Sequence, residues 1–329
     1  MSRQQTIRRR LRSITLVVVG FVGVSLLFPV LILGSFLFDV VRLAIGHRRF
    51  MALRLVVVGW VYLAAETVGI AALGLVWIAS VGGRQESVLL GGSYAIQRRW
   101  AGTLFAVVRV LFALRFEVEG AEVLTPGPIH VFMRHASIID NLLPSVLISA
   151  PHGFRLRYVL KRELLFDPAL DIAGSRLPNH FVDRSTGGPA EATAIGALGS
   201  GLGADEGTLI YPEGTRFTEE RRQRALARLE NDQAALARAG EFENVLPPRI
   251  SGPLALLDVD PAADVVIAAH KGLDGFSHVR DILGGGLIGS VVSVRFQRFS
   301  AAGIPDSPEL RREWLYDRWG EVDRWIAGA

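Results

Sequence analysis

Two uninterrupted apolar stretches dominate the first quarter of the chain: residues 14–38 contain no charged side chain and residues 55–79 contain only Glu66. Each exceeds the roughly 20 residues that cross the hydrocarbon core of a bilayer as a helix. Each is also apolar on every side, which a core helix of a soluble domain seldom is. The pattern predicts an N-terminal hairpin of two membrane helices. Glu66 is costly in lipid and is expected to face a packing partner or water. From 82 to 97 the chain turns polar and rich in Gly and Ser, which reads as a linker. Beyond it, short apolar runs (Ile129–Met133, 208–211, 265–269 and 291–296) alternate with helical stretches, the pattern of an α/β layered domain. The chain thus divides into a membrane module, residues 1–97, and a second domain, residues 98–329, large enough to bury a full core.

Two segments of that second domain have helical periodicity with different faces. Residues 218–238 place opposite charges three or four apart, as on a solvated helix, with a head-group or membrane-surface role as the alternative. Residues 309–326 align Leu310, Trp314, Val322, Trp325 and Ile326 beside arginines. That side either docks on the domain or lies in a membrane interface.

Charge adds orientation. Arg3, Arg8, Arg9, Arg10 and Arg12 precede the first apolar run, which favours an internal N-terminus, and two spans would return the remainder to the cytoplasmic side. Arg42, Arg48, Arg49 and Arg54 around the connecting loop weaken the asymmetry and leave a monotopic hairpin as the alternative. A cleaved signal peptide fits poorly, because the first run is too long and no small-residue cleavage site precedes the second. The net charge of +4 agrees with attraction to anionic lipid and phosphate. Nucleic acid is disfavoured, since the basic residues flank apolar spans and no reader motif occurs. With no cysteine, the chain has no disulfide framework, no thiolate nucleophile and no Cys-based metal site.

The chemistry concentrates in Met133-Arg134-His135-Ala136-Ser137-Ile138-Ile139-Asp140-Asn141. On an unbroken helix, residues five apart are rotated by about 140° and point away from each other. Here an apolar strand precedes the pair and Ser137 starts a helical stretch, so a turn can bring His135 and Asp140 together. Asp140 would then accept the imidazole N–H and leave the other nitrogen as a base. The nucleophile would be a hydroxyl of the substrate. A buried, satisfied turn histidine is the plainer reading of this motif alone, since acids fill 32 of 329 positions. In Tyr211-Pro212-Glu213-Gly214-Thr215-Arg216 a strand ends at a proline, and Gly214 permits close backbone approach. Arg216 suits a phosphate, with Glu213 orienting it or accepting from a hydroxyl. A surface ion pair beside a tight turn is the competing reading. The other histidines, His130 among them, lack ligand spacing, and His130 reads as structural.

Taken together, these residues resemble the lysophospholipid acyltransferase family, the 1-acylglycerol-3-phosphate acyltransferases, over residues 98–325. The first family block matches His135 and Asp140, the second Phe181-Val182-Asp183-Arg184, the third Glu213 to Arg216, and the proline turn Val245-Leu246-Pro247-Pro248-Arg249 is similar to the fourth. Lys161 in Val159-Leu160-Lys161-Arg162-Glu163-Leu164 resembles the family's phosphate contact between the first two blocks. Two positions depart: Arg134 stands where an Asn is usual, which suggests added charge for donor or head group, and Pro178 stands where the second block opens with Gly. The long charged insert after Arg216 and the Leu246-Pro247-Pro248-Arg249 turn look most like the lysocardiolipin-acyltransferase branch.

The resemblance implies a layered glycerolipid-acyltransferase fold behind the helical hairpin, with His135 and Asp140 catalytic. It implies substrate binding by Lys161, Arg184, Glu213, Gly214, Thr215 and Arg216, and neither metal nor cofactor. The acyl donor would be acyl-CoA or acyl carrier protein as co-substrate, the acceptor a lysophospholipid, foremost 1-acylglycerol 3-phosphate, at a membrane. Lysocardiolipin, a glycolipid or glycerol 3-phosphate are the alternative acceptors, and a non-catalytic lipid-binding membrane module is the rival from another class.

Overall fold

The apolar stretches of the first quarter are helices, α1 (Arg3–Ala44) and α2 (Met51–Ala79), in a computed structural model that describes residues 3–46, 49–183 and 188–328. Both are long and apolar enough to cross a bilayer. At 1.5 Å per residue α1 extends about 63 Å, about twice the hydrocarbon thickness. Leu26, Val30 and Leu33 on α1 are 77%, 68% and 60% exposed. A row of large apolar side chains left outside the fold suits lipid better than water.

The chain forms two compact units. The first comprises Met1–Leu114, Lys161–Pro178 and Ile282–Gly289. Asp39 accepts from the Ala52 and Leu53 N–H groups at 3.2 and 2.9 Å, satisfying donors that the start of α2 leaves unpaired. Trp60 joins α2 to α1 by donating to Ser25 Oγ at 2.9 Å and packing its ring 4.9 Å from that of Phe28.

Residues 82–97 are not the linker their composition suggests: most of them open a third long helix, α3 (Glu86–Leu111). Its buried residues Ser93, Tyr94, Ala101 and Leu104 recur at helical spacing. Gly92, which reads as a break, serves close packing, because a Cβ there would lie 2.7 Å from a Val76 methyl of α2. The first unit therefore runs on to Leu114.

Glu66 has the partner expected of it. Its Oε2 accepts the Ala169 N–H at 3.1 Å, at the start of the helix Pro168–Arg176, which Asp167 caps by accepting from Leu170 N–H at 3.1 Å. Tyr62 donates to the other Asp167 oxygen at 2.8 Å. Leu73 of α2 packs with Ala169 and Ala173, and Arg9 and Arg10 pair with the buried Asp171 at 2.7 and 3.0 Å.

The second unit is built on a seven-stranded sheet of β1 (Arg115–Glu119), β2 (Ile129–Met133), β3 (Arg155–Lys161), β4 (His180–Val182), β5 (Glu206–Ile210), β6 (Asp264–Lys271) and β7 (Val291–Phe299), in the order β1-β7-β6-β2-β5-β3-β4. The four apolar runs singled out in the sequence are β2, β5, β6 and β7. β2 lies between β6 and β5, parallel to both, and all five of its residues are buried, as its unbroken apolar run requires. Only the β6–β7 pairing among those described is antiparallel.

The charged insert forms two helices, Glu219–Ala227 and Gln233–Gly240, capped by Thr218 and Asp232. The helix Pro308–Ala327 docks on the unit: Leu315, Tyr316, Trp319 and Val322 are buried together with Phe132 of β2 and Ile267 of β6. Its outer tryptophans are engaged as well. Trp314 meets Phe299 edge-on at 5.5 Å, and Trp325 lies beneath Lys271 and Arg295. Those contacts favour docking over the interfacial alternative.

Candidate active site

β2 ends at Met133, and the next seven residues fold back on themselves. Asp140 Oδ2 accepts the backbone N–H groups of Ala136 (2.6 Å) and Ser137 (2.7 Å) and stands 3.1 Å from His135 Nδ1. The turn the five-residue spacing required is thus closed by the carboxylate itself. The helix expected after Ser137 is broken into a short turn Ile139–Asn141 and a wider one, Pro144–Ser149. Pro144 has no N–H for the Asp140 carbonyl four residues back. Tyr211 supplies the donor instead, its hydroxyl 3.0 Å from that carbonyl, and its ring lies 4.4 Å from the His135 ring. Burial pushes the Asp140 carboxyl up, but His270 and His135 outweigh it and hold the group well below the usual carboxylate range. It is therefore an anion wherever the protein is folded near neutral pH.

His270, which the sequence reading passed over, is a second imidazole on this carboxylate. Its Nε2 donates to the Arg134 carbonyl at 3.2 Å and lies 3.4 Å from Asp140 Oδ2. Parallel pairing of β2 with β6 aligns Met133 with Ala268 and so brings the ends of both strands to one place. Linear spacing gave no signal for a residue 130 positions away from Asp140.

Arg134 is not a surface charge for donor or head group. It is fully buried, donates to the carbonyls of His270 and Asn244 at 2.7 Å each, and pairs with Asp274. Its guanidinium ties the turn that carries His135 and Asp140 to the segment before the proline turn. Asp323 of the C-terminal helix holds that segment too, accepting from Glu243, Asn244 and Val245 N–H groups.

Glu213 neither orients Arg216 nor waits for a hydroxyl. Its Oε1 accepts the His135 N–H at 2.8 Å and its Oε2 accepts the Leu246 N–H at 3.0 Å. Phe217 N–H donates to the His135 carbonyl at 2.8 Å. Both backbone polar groups of His135 are thus gripped by the 213–217 loop. Burial raises the Glu213 carboxyl to about 8, with Arg134 and the two N–H donors working against that rise.

Gly214 occupies the left-handed region (φ +66°), and a Cβ there would be 2.8 Å from Arg249 Nε, so the loop needs glycine on both counts. Thr215 and Arg216 follow, both half-buried. Burial and then Arg221 lower the Arg216 pKa, while Asp140 and Asp281 raise it. Arg221 also donates to the Arg216 carbonyl at 3.0 Å. His135, Asp140, Glu213 and Arg216 therefore belong to one electrostatic neighbourhood. Lys161 ends β3, half-buried. Arg184 lies outside the described residues, although Phe181 and Val182 before it are in β4. His130 is structural: buried, with its ring nitrogens 2.8 Å from Thr208 Oγ1 and 3.3 Å from the Asp260 carbonyl.

Residues 115–247, from the first strand to the proline turn, match the family model described as Acyltransferase. Among solved structures the chain is similar to the 1-acyl-sn-glycerophosphate (LPA) acyltransferase, PlsC, from Thermotoga maritima, with a TM-score of 0.50 and 16% sequence identity over 83% of this chain and 98% of that one. At that identity the likeness speaks for the fold. No curated protein matches the sequence. The first three motif blocks, at His135 and Asp140, at 181–184 and at Glu213 to Arg216, all lie inside the stretch that matches the Acyltransferase model.

Proposed function

We propose that this protein transfers a fatty acyl group from a thioester, acyl-CoA or acyl carrier protein, to the free hydroxyl of a lysophospholipid, with 1-acyl-sn-glycerol 3-phosphate as acceptor and phosphatidic acid as product. The observation that carries this reading is His135, whose Nδ1 stands 3.1 Å from a carboxylate that two backbone N–H groups keep in place. A histidine so oriented is a general base. Its Nε2 takes the hydroxyl proton as the acceptor oxygen attacks the thioester carbonyl. Asp140 stabilises the imidazolium that forms. Collapse of the tetrahedral intermediate then breaks the C–S bond, and the departing thiolate takes the proton from Nε2, which returns the base to its starting state. Arg216 and Lys161 hold the head-group phosphate, and Arg184 shares that task. Helices α1 and α2 keep the enzyme in the membrane, where both acceptor and product reside, with the catalytic unit on the cytoplasmic side.

The test is thioester release from acyl-CoA and from acyl carrier protein, with a panel of lysophosphatidic acid, lysocardiolipin, a lysoglycolipid and glycerol 3-phosphate. The expected result is turnover with lysophosphatidic acid above the others, and a loss of about 100-fold to 10,000-fold in His135→Ala. Near-normal turnover in that variant overturns the mechanism. Preference for another acceptor overturns the substrate, and no transfer with any acceptor favours the lipid-binding module.

A further inference from the structure

The charged insert has a face that the proposed chemistry does not use. Arg221, Arg224 and Arg228 recur three and four residues apart along the helix Glu219–Ala227 and its C-terminal end, so they lie on one side of it. That side lines a cavity of about 510 Å³. Arg249 from the proline turn and Arg312 from the C-terminal helix complete its walls. Five arginines line it, and Glu213 is the only acid among the described lining residues. Both Glu213 oxygens already accept backbone N–H groups. Arg312 pairs with Asp232, which is not part of the lining. Five cations against one buried acid give this concavity a positive potential, which attracts an anion.

The size and the remaining lining narrow the anion. A volume near 510 Å³ falls in the range of small-molecule sites, about 300–1,000 Å³. Tyr316, Leu229 and Pro248 give it apolar surface against which a flat ring can pack. One or two arginines satisfy a single phosphate monoester, whereas a wall of several arginines suits a group with several phosphates. Thr215 and Glu213 also line the cavity, so it borders the loop that grips His135. We propose that it binds the phosphorylated adenosine end of the acyl donor, an adenosine diphosphate bearing a further 3′-phosphate as in coenzyme A. This rests on the acyl-transfer reading for the donor's identity, and it selects a coenzyme A thioester over acyl carrier protein.

The experiment uses the full chain in detergent micelles, with coenzyme A and adenosine 3′,5′-bisphosphate as calorimetric probes, and compares wild type with Arg224→Ala/Arg228→Ala. Both arginines are exposed, and thermal unfolding verifies that the variant folds; Arg312→Gln provides an independent second variant. The expected result is a Kd for both probes raised about tenfold to a hundredfold, with the acyl-CoA KM raised in parallel and the lysolipid KM unchanged. An unchanged Kd in both folded variants overturns the proposal. So does a defect confined to the acceptor, which would assign the cavity to a lipid head group carrying several phosphates, or loss of binding to anionic vesicles alone. Transfer from acyl carrier protein without any coenzyme A binding sinks this proposal and leaves acyl transfer standing. Arginine-dependent coenzyme A binding without transfer to any acceptor does the reverse.

Discussion

Glu213→Gln separates the roles a carboxylate can have in this loop. The wild-type side chain accepts at both oxygens, from His135 N–H at 2.8 Å and Leu246 N–H at 3.0 Å. An amide of the same shape accepts at one and turns its own N–H₂ toward the other donor. One buried N–H is then orphaned, a cost of about 1–3 kcal/mol. Titration adds a signature. The Glu213 carboxyl is raised to about 8 by burial, so between the unfolded value near 4.5 and 8 the folded protein holds a proton that the unfolded chain has released. Wild-type stability is therefore greatest below about 4.5 with respect to this group, and falls as pH rises through the window, by up to about 1.4 kcal/mol per pH unit. Glutamine does not titrate and abolishes that slope. In thermal unfolding of detergent-solubilised protein, Glu213→Gln should melt several degrees below wild type at pH 5, with a gap that narrows toward pH 8. Turnover should fall with little change in either KM, because the His135 backbone loses an anchor while the phosphate contacts stay. Equal melting temperatures at pH 5 would mean that the two N–H groups do not depend on the oxygens of this side chain. A wild-type slope surviving in the variant would assign the titration to another group.

Asp140→Asn should lower kcat at least about 100-fold, since the imidazolium loses its anion. The depressed Asp140 pKa contributes stability that is present above the unfolded value near 4 and lost as pH falls through the lower folded value, so this variant should lose part of the wild-type acid-unfolding transition. Arg216→Ala should raise the KM for 1-acylglycerol 3-phosphate about tenfold to a hundredfold and leave the acyl-donor KM alone, and a lysolipid without a phosphate monoester should respond much less; equal losses for both acceptors would refute a phosphate role. Membrane fractions washed with 1 M salt, where the Debye length is about 3 Å, should retain the protein, and detergent should release it; release by salt would argue that charge rather than α1 and α2 holds it.

What the sequence disclosed depended on how local the deciding physics is. β2, β5, β6 and β7 were visible because a buried strand is an apolar run, and the His135–Asp140 turn was visible because an apolar strand ends just before the pair and only a turn lets residues five apart meet, although the helix expected after Ser137 does not form. Side-chain direction was not visible. Glu213, read as facing substrate, points at two backbone donors, and Arg134, read as added charge for donor or head group, is buried among carbonyls. Both outcomes are decided by segments more than 30 residues away in the chain. His270 reaches Asp140 only through the pairing of β2 with β6. The glycines of 82–97 look like a chain break because composition does not reveal that Gly92 has Val76 against it.

The first unit is threaded from three separate stretches of chain, the last of them Ile282–Gly289. A ribosome finishes it only after Gly289 has been added. Leu73 and its neighbours await the Ala169 and Ala173 methyls for about a hundred residues, and Asp171 can neutralise Arg9 and Arg10 only after some 160 further residues have followed them. Biogenesis of this protein is thus a problem of holding unfinished apolar helices in the meantime. For the same reason, shortening the gene to begin at residue 98 would not liberate a soluble enzyme. It would strip the helix Pro168–Arg176 of Glu66, Leu73, Arg9 and Arg10 and make aggregation the expected fate of the product.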